Sequence, residues 1–318
     1  MTRYGRWAVA GACAVFVLAG GILLVCHWRA RRLAAEAPAK VEAESSAEAE
    51  AEARAAAERA AVYRQFSIDK PGTCLFVPLS PVTNDFGRAA IGKKLFNDSR
   101  LTSSRTTKIL VCGACHWLGS GGTDSRPHHG VLTRPVHNAA FATVFFHDGS
   151  VSNLHAAVGR MIEHPHFSGG GPPAGVAARL AADSGIAAQF KREYGNDGLA
   201  DSNVVDAVVE YLKTLVTAGT PYDFWCAGHA DKFTPEQQRG SEVFLSASCM
   251  DCHDGPVLGS RKVSRGRKVP ALRGISRRRA YLTEGKVKDL DAVVPLMPGG
   301  DALPPEDRKA LVEFLKAL

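Results

Sequence analysis

The sequence lacks charge near its start: no Asp, Glu, Lys or Arg occurs in the 22 residues from Trp7 to Trp28. About 20 apolar residues span the hydrocarbon core of a bilayer, whereas the apolar core of a cleaved signal peptide has roughly 7–15. The absence of charge therefore predicts that residues 7–28 form one transmembrane anchor, preceded by a tail of residues 1–6. Arginines flank the run on both sides, so positive charge alone does not set its orientation.

Aromatic side chains are missing from residues 33–61, which are almost entirely Ala and Glu. Such a composition excludes a hydrophobic core, while both residue types favour helix. We therefore predict that residues 29–66 are a partly helical spacer between the membrane and the globular part of the chain.

Alternating apolar patterns, which would indicate strands, are also scarce, so we expect a mainly α fold. Apolar residues at helical spacing predict a helix over about 203–215, and Pro304-Pro305 precedes another at the end of the chain. Thr234-Pro-Glu-Gln237 has the pattern of a capping box at the start of a helix.

Two cysteine pairs carry the clearest chemistry: Cys112-Gly-Ala-Cys115-His116 and Cys249-Met-Asp-Cys252-His253. In C-x-x-C-H the two thiols add to the vinyl groups of a porphyrin, and the adjacent His is placed to bind its iron. A zinc site or a thioredoxin-like pair has no special use for an adjacent His in each of two copies. The motifs predict two covalently bound c-type haems, with His116 and His253 as iron ligands.

Haem attachment of this kind takes place outside the cytoplasm, which orients the anchor. We expect an inner-membrane protein that crosses the bilayer once, with its N-terminus in the cytoplasm and its haem domains in the periplasm. In that oxidising compartment the remaining Cys74 and Cys226 could form a disulfide, although spacing alone does not establish it.

The sequence around each haem motif is repeated. His147-Asp-Gly-Ser-Val-Ser-Asn-Leu154 leads to Met161, and Thr283-Glu-Gly-Lys-Val-Lys-Asp-Leu290 leads to Met297, over 14 residues in each case. The repeat predicts two cytochrome c-like domains, residues 67–225 and residues 226–318.

Together with the two motifs, an ordered set of segments resembles the bacterial di-haem cytochrome c peroxidases and the related MauG-type enzymes. The resemblance runs from Phe86 to Leu318 and is carried by Ile91-Gly-Lys-Lys-Leu-Phe-Asn-Asp-Ser-Arg-Leu101, Gly121-Gly-Thr-Asp124, Asn138-Ala-Ala-Phe141, Asp148-Gly149, Tyr222-Asp223 and Lys268-Val-Pro-Ala-Leu-Arg273. It implies that the N-terminal haem is peroxidatic. It also implies that the C-terminal haem transfers electrons, with His253 and Met297 as axial ligands.

The departures from the family concern the N-terminal haem. The positions of the family's Gln and Glu, which act on peroxide, are Ala157 and Phe167 here, and the Trp between the haems is His147. Neither Ala nor Phe transfers a proton. We name Glu163, His164 and His166 as candidate substitutes for the missing acid–base groups.

Three alternatives remain open for the sixth ligand of the first iron: His128 or His129, Met161 by internal symmetry, or none. The resemblance also implies a calcium ion between the domains, but this ion is doubtful here. Its Asn is missing from Thr133-Arg-Pro-Val-His137, and the carbonyl donors fall at Arg278 and Ala280. We expect that a fixed charge has replaced the ion.

Acidic residues are nearly absent from Arg261 to Lys288, where eleven Lys or Arg accompany the single Glu284. The expected location outside the cytoplasm excludes nucleic acid as a partner. The positive charge suits a small acidic electron donor, a cytochrome c or a cupredoxin. A second copy of the chain is kept as a candidate partner.

We expect an oxidoreductase that reduces hydrogen peroxide. The alternatives are a non-enzymatic di-haem electron carrier and a MauG-like enzyme that oxidises a partner protein, against which Met297 argues.

Overall fold

The computed structural model describes Leu79, Val82 and residues 85–101, 111–164 and 175–318. Contacts divide the chain into residues 1–64 and residues 65–318, and everything described below lies in the second unit. The mainly α fold is confirmed. The α-helices are α1 (Phe86–Leu95), α2 (Cys112–Cys115), α3 (Leu154–Glu163), α4 (Val176–Ala181), α5 (Ser184–Tyr194), α6 (Asp201–Thr214), α7 (Pro221–Cys226), α8 (Pro235–Ser246) and α9 (Pro305–Lys316).

Within these described ranges, no helix combines the length and the apolar composition needed to cross a bilayer. The predicted anchor, residues 7–28, and the spacer, residues 29–66, lie outside the described residues. Both stay predictions.

Two short antiparallel hairpins repeat the same geometry. β1 (Pro127–His128) pairs with β2 (Val131–Leu132), and β3 (Val263–Ser264) pairs with β4 (Arg267–Lys268). Both turn residues of each hairpin have positive φ, at 51° and 83° in the first and 49° and 72° in the second. This is the pattern of two-residue hairpin turns, which usually require Gly or Asn. The backbone therefore extends the sequence repeat to the loop that follows each haem motif.

Each half is built on one close pair of helices, α1 with α6 and α8 with α9. A Cβ atom added to Gly92 would collide with the carbonyl of Ala207, and one added to Gly240 would collide with that of Ala310. Glycine is therefore needed at both crossings, because any side chain would push the helices apart. Each haem motif follows the first helix of such a pair, which fixes its position relative to the core.

The hydrophobic core consists of two clusters, one in each half. Tyr222 and Trp225 pack in the second cluster, although the predicted boundary between the domains lies after residue 225. The core of the C-terminal half thus includes α7, while the division into domains itself stays a prediction. Typical members are Leu95, Phe96, Phe190, Val204 and Val208 in the first cluster and Phe233, Phe244, Leu311, Phe314 and Leu315 in the second.

The local helix signals are confirmed. The Thr234 side chain accepts a hydrogen bond from the backbone N–H of Gln237, and the Gln237 side chain accepts one from that of Thr234, at 3.2 and 2.9 Å. The helix predicted over 203–215 is α6, and the one predicted after Pro304 is α9.

Cys226 is disulfide-bonded. Its predicted partner, Cys74, lies outside the described residues, so the pairing between these two cysteines stays a prediction. Cys112, Cys115, Cys249 and Cys252 are free thiols, as haem attachment requires of the polypeptide.

Candidate haem-binding sites

The first haem motif forms the short helix α2, and His116 follows it directly. The His116 backbone N–H donates to the carbonyl of Cys112 at 2.8 Å, which closes the turn. Its ring Nδ1 lies 3.4 Å from the carbonyl oxygen of Gly122. A carbonyl can only accept, so Nδ1 carries the proton and Nε2 is left with its lone pair for a metal.

The second motif repeats this arrangement. The His253 backbone N–H donates to the carbonyl of Cys249 at 2.9 Å, and its Nδ1 donates to the carbonyl of Leu258 at 3.2 Å. Burial lowers the pKa of both His116 and His253, which favours the neutral imidazole that binds iron. Burial also raises the pKa of Cys112 to about 12 and that of Cys249 to about 11, so these sulfurs are protonated thiols at neutral pH.

A cavity of about 360 Å³, called the second cavity below, opens beside the second haem motif. Cys249, Cys252 and His253 line it, and so does Met297, which is half-buried against the second core cluster. Two residues can bind the same iron only if both face one cavity, and the structure brings His253 and Met297 together in this way. Its apolar wall includes Phe244, Leu272, Leu290, Leu311 and Leu315.

The rest of the cavity wall is basic. Arg134, His147, Lys268 and Arg278 line it, and no Asp or Glu occurs among the described residues that do. The Nε atoms of Arg134 and Arg278 and the Nδ1 atom of His147 are buried without a hydrogen-bond partner in the described part of the chain. Burial, with the charges of Arg134 and Arg278, lowers the pKa of Lys268 to about 8.

Buried cations without an acidic partner and buried nitrogens without a hydrogen-bond acceptor lower the stability of the folded protein unless an anion binds beside them. A haem supplies such an anion, because it carries two propionate groups. The residues present therefore fit a haem: two thiols to attach it, an oriented His, a Met, an apolar wall and cations for its carboxylates. Arg134 and His147 come from the N-terminal half, so both halves contribute to this cavity.

The candidates for the sixth ligand of the first iron are exposed. His128 pairs with Asp124 at 2.7 Å, and His129 occupies the turn between β1 and β2. Met161 lies on α3 with 37% of its surface exposed. His129 and Met161 precede Arg265 and Met297 by 136 positions each, so they are the counterparts of two residues that line the second cavity. The structure does not choose among them.

The candidate acid–base groups lie near the end of α3. Glu163 is the last residue of the helix, His164 caps it, and both are exposed. His166 and Phe167 lie outside the described residues. Ala157 is half-buried on the same helix, two turns before Glu163. The roles of Glu163, His164 and His166 stay predictions.

At the doubtful calcium site, the Arg278 Nη2 donates to the carbonyl of Ala271 at 2.7 Å. Within the described residues, no group of three or more His, Cys, Asp or Glu side chains could hold a metal ion. That a guanidinium has replaced the ion stays a prediction.

Sequence reasoning missed three features of these sites. Arg134 and Lys268 were not recognised as residues of the second cavity, and Trp117 was not recognised as an exposed aromatic beside the first motif. Arg273 and Asp223, both part of the segments that carried the resemblance, form a buried ion pair at 2.7 Å. Their co-occurrence in those segments was a signal that could have suggested the pair.

Two oriented histidines, each following a pair of thiols in a helical protein, define a di-haem c-type cytochrome. Comparison with known proteins gives the family. Residues 87–231 match the family model described as di-haem cytochrome c peroxidase. The predicted resemblance is thereby confirmed: over these residues the chain is similar to the di-haem cytochrome c peroxidases, and two c-type haems are the cofactors that this family implies.

The chain is similar to the cytochrome c peroxidase Ccp of Escherichia coli strain K12, with 29% identity over 286 residues. That match covers 76% of this chain but 61% of the relative. The cytochrome c551 peroxidase of Nitrosomonas europaea is 27% identical, with 76% and 83% covered. A solved structure of a MauG-like protein associated with microbial copper homeostasis superposes with a TM-score of 0.63 at 18% identity, covering 76% of this chain and 92% of that one. This last likeness concerns the fold alone.

Proposed function

We propose that this protein is a membrane-anchored, periplasmic di-haem oxidoreductase that reduces hydrogen peroxide. Electrons would enter through the haem held by His253 and Met297 and pass to the haem held by His116. The peroxidase names of its relatives support the reaction, and the charge-free run 7–28 with the two haem motifs supports the location.

The observation that carries the proposal is that the two halves are unequal. Met297 lines the second cavity with His253, whereas its counterpart Met161 is exposed on α3. A pair of axial ligands suits electron transfer, while an iron with an open sixth position suits binding of peroxide. This difference supports a division of labour between the haems.

Bound haem iron supplies the redox chemistry, and the polypeptide orients and tunes it. Gly122 and Leu258 hold the tautomers of the two histidines through their carbonyl oxygens. In the second cavity Arg134, Lys268 and Arg278 would neutralise the propionates, and the positive charge they add favours the reduced state of the haem. Glu163 or His164 would transfer protons to and from peroxide in the first site.

A specific observation favours the electron-carrier alternative. Ala157 occupies the position where the resemblance implies a Gln, and its methyl group can neither donate nor accept a proton. If no other acid–base group reaches the first iron, the chain would exchange electrons without reducing peroxide. The MauG-like alternative is weaker, because Met297 stands where the resemblance implies Tyr for those enzymes.

Optical and EPR spectra of the full-length holoprotein, fully oxidised and half-reduced, with and without hydrogen peroxide, test the proposal. We expect one low-spin haem and one haem that responds to peroxide, together with peroxide consumption in the presence of a small neutral reductant. Met297→Leu should change the low-spin signal, and the matched Met161→Leu should not. Two low-spin haems that ignore peroxide in both redox states would replace the proposal with the electron carrier.

A further inference from the structure

The wall of the second cavity includes a histidine from the N-terminal half, His147. Its backbone carbonyl accepts a hydrogen bond from the N–H of Lys268 at 2.7 Å, and Lys268 lines the same cavity. The Lys268 carbonyl in turn accepts a hydrogen bond from Arg134 Nη2 at 3.4 Å. His147 is therefore held where the two halves meet, beside the space that fits the second haem.

The repeat gives this backbone contact a counterpart. The N–H of Leu132 donates to the carbonyl of Thr283 at 2.7 Å, and these two residues lie 136 positions before Lys268 and after His147, respectively. Thr283 also lines the second cavity, but its hydroxyl does not take up a proton near neutral pH. The fold therefore sets the backbone at both crossings, and the imidazole of His147 is an addition that the fold does not require.

In the described part of the chain, one nitrogen of the His147 ring lacks a hydrogen-bond partner. The side chain is half-buried, and its Nδ1 atom is fully buried. Buried polar atoms are normally paired, so an unpaired one indicates a group that binds there. A carboxylate oxygen can accept a hydrogen bond from this nitrogen when the nitrogen carries a proton. A haem propionate is such a carboxylate, and the cavity fits a haem.

The charges around His147 keep its ring neutral. Burial and the charge of Arg134 lower the pKa of His147, and Arg267 acts in the same direction. The carbonyl of Leu132 and the exposed carboxylate of Asp148 oppose this effect. The described lining residues with a permanent charge are all cations: Arg134, Arg265, Arg267, Lys268 and Arg278. The imidazole therefore stays neutral as long as no negative charge enters the cavity.

His147 is also the lining residue best suited to change its protonation near neutral pH. The guanidinium of Arg278 stays protonated there, although burial lowers its pKa to about 10. The pKa of Lys268, which burial lowers to about 8, rises again when carboxylates bind beside it. An imidazole ordinarily titrates near about pH 6.5, so a change in the local charge moves it across neutral pH.

Reduction adds one negative charge to a haem in this cavity. At an effective dielectric constant of about 20, a charge added inside a protein changes a nearby proton-binding equilibrium by about tenfold or more. The proton affinity of His147 is therefore higher beside a reduced haem than beside an oxidised one. The tryptophan that the resemblance implies at this position cannot respond in this way, because its indole nitrogen is only a donor.

We propose that His147 binds a propionate of the second haem through Nδ1 and takes up one proton when that haem is reduced. The inference rests on the proposed function in so far as electrons pass through the second haem. One electron from the donor converts ferric iron to ferrous, and one proton from solvent converts the neutral imidazole to imidazolium. Both leave when the electron passes to the first haem. Reduction of hydrogen peroxide to water consumes one proton for each electron, so the proposed coupling matches the needs of that reaction.

The test is a spectroelectrochemical titration of the second haem in the full-length holoprotein in detergent, from about pH 5 to about pH 8. His147→Phe removes both ring nitrogens, and His147→Trp keeps an N–H donor that does not titrate. The matched control is His229→Phe, because His229 is exposed and does not line the second cavity. Proton uptake is measured separately, by electrochemical reduction in weakly buffered solution that contains a pH indicator dye.

Because a protonated His147 favours the reduced haem, the reduction potential should fall as pH rises. In the unsubstituted protein and in His229→Phe, we expect the reduction equilibrium to change by about tenfold or more across this range, which is about 59 mV or more. In His147→Phe and His147→Trp it should change by less than about twofold. The indicator dye should report proton uptake in the unsubstituted protein and none in either His147 variant. Unchanged low-spin spectra of both variants would exclude misfolding.

A reduction potential that depends on pH equally in the unsubstituted protein and in His147→Phe would overturn the inference, and so would one that does not depend on pH in either. Loss of the pH dependence in Lys268→Met, with retention in His147→Phe, would also overturn it, because Lys268 would then bind the proton. Peroxide consumption with a small neutral reductant is measured on the same samples. Its absence, with the pH dependence intact, would remove the proposed peroxidase function and leave the role of His147 in place.

Discussion

The buried ion pair between Asp223 and Arg273 gives a prediction with a defined magnitude. The Arg273 side chain is 0% exposed and that of Asp223 is 8% exposed, with Nη1 and Oδ1 2.7 Å apart. The other carboxylate oxygen of Asp223 accepts from the backbone N–H and the hydroxyl of Thr220, at 3.1 and 2.9 Å, and so caps α7. The guanidinium also lies 5.2 Å from the centre of the Tyr222 ring.

The perturbation is Asp223→Asn, which keeps an oxygen for the cap and removes the charge. Removing one partner of a buried pair leaves the other charge uncompensated and costs about 3–5 kcal/mol. We therefore expect the free energy of unfolding to fall by about that amount. An exposed pair provides the matched control: Arg239 and Asp307 lie 2.7 Å apart with 51% and 26% of their side chains exposed, so Arg239→Gln should cost about 1 kcal/mol or less.

Urea denaturation of the full-length holoprotein, followed by circular dichroism, measures both variants. A second comparison separates the charge from the cap: Asp223→Asn combined with Arg273→Met removes both charges and should recover part of the loss. The reasoning would be refuted if Asp223→Asn unfolded at the same urea concentration as Arg239→Gln, with the same dependence on urea.

Three further predictions concern the second haem and the disulfide. Met297→His should lower the reduction potential of the second haem in a potentiometric titration, because a thioether ligand raises that potential; an unchanged potential would mean that Met297 is not a ligand. Arg134→Gln or Lys268→Met should lower the same potential by removing positive charge from the cavity, and no shift in either would separate these residues from the haem. Cys226→Ser should cost about 2–5 kcal/mol of stability and make unfolding insensitive to thiol reductants, to which the unsubstituted protein should respond.

The features that the sequence predicts well depend on neighbouring residues. A C-x-x-C-H motif contains both attachment points and an iron ligand within five residues, so the two haem sites could be located without a structure. The capping box of Thr234 and Gln237 and the apolar face of α6 are also local patterns. Met297 was predicted as an axial ligand from the resemblance, and the repeat agrees, because Met297 lies as far from Thr283 as Met161 does from His147.

The features that were missed depend on contacts between distant parts of the chain. Arg134 lies more than a hundred residues before Lys268, yet both line one cavity because the segment after β2 meets the end of β4 there. The Arg134 Nη2 donates to the Lys268 carbonyl at 3.4 Å. No periodicity or motif indicates such a contact. The place of α7 in the second core cluster was missed for the same reason, since Tyr222 and Trp225 join that cluster only through tertiary packing.

The basic stretch from Arg261 to Lys288 illustrates how a composition can predict charge but not its use. The sequence predicts one basic surface near the electron-transfer haem. In the structure, Arg265, Arg267, Lys268 and Arg278 line the second cavity. Arg279 and Lys288 line a separate, open cleft of about 460 Å³ beside the first haem motif.

The cations that line the second cavity and those that line the open cleft would act on different molecules. Cations inside a cavity act on the group that is bound there, because little water screens them, whereas exposed cations act on an approaching partner and weaken with salt. Variants of Lys268 and Arg278, the two half-buried members of the first group, should therefore shift haem potentials with little dependence on ionic strength. Variants of the second group should change association rates mainly at low ionic strength. A single salt titration of both would separate the cations that tune a haem from those that act on molecules approaching the surface.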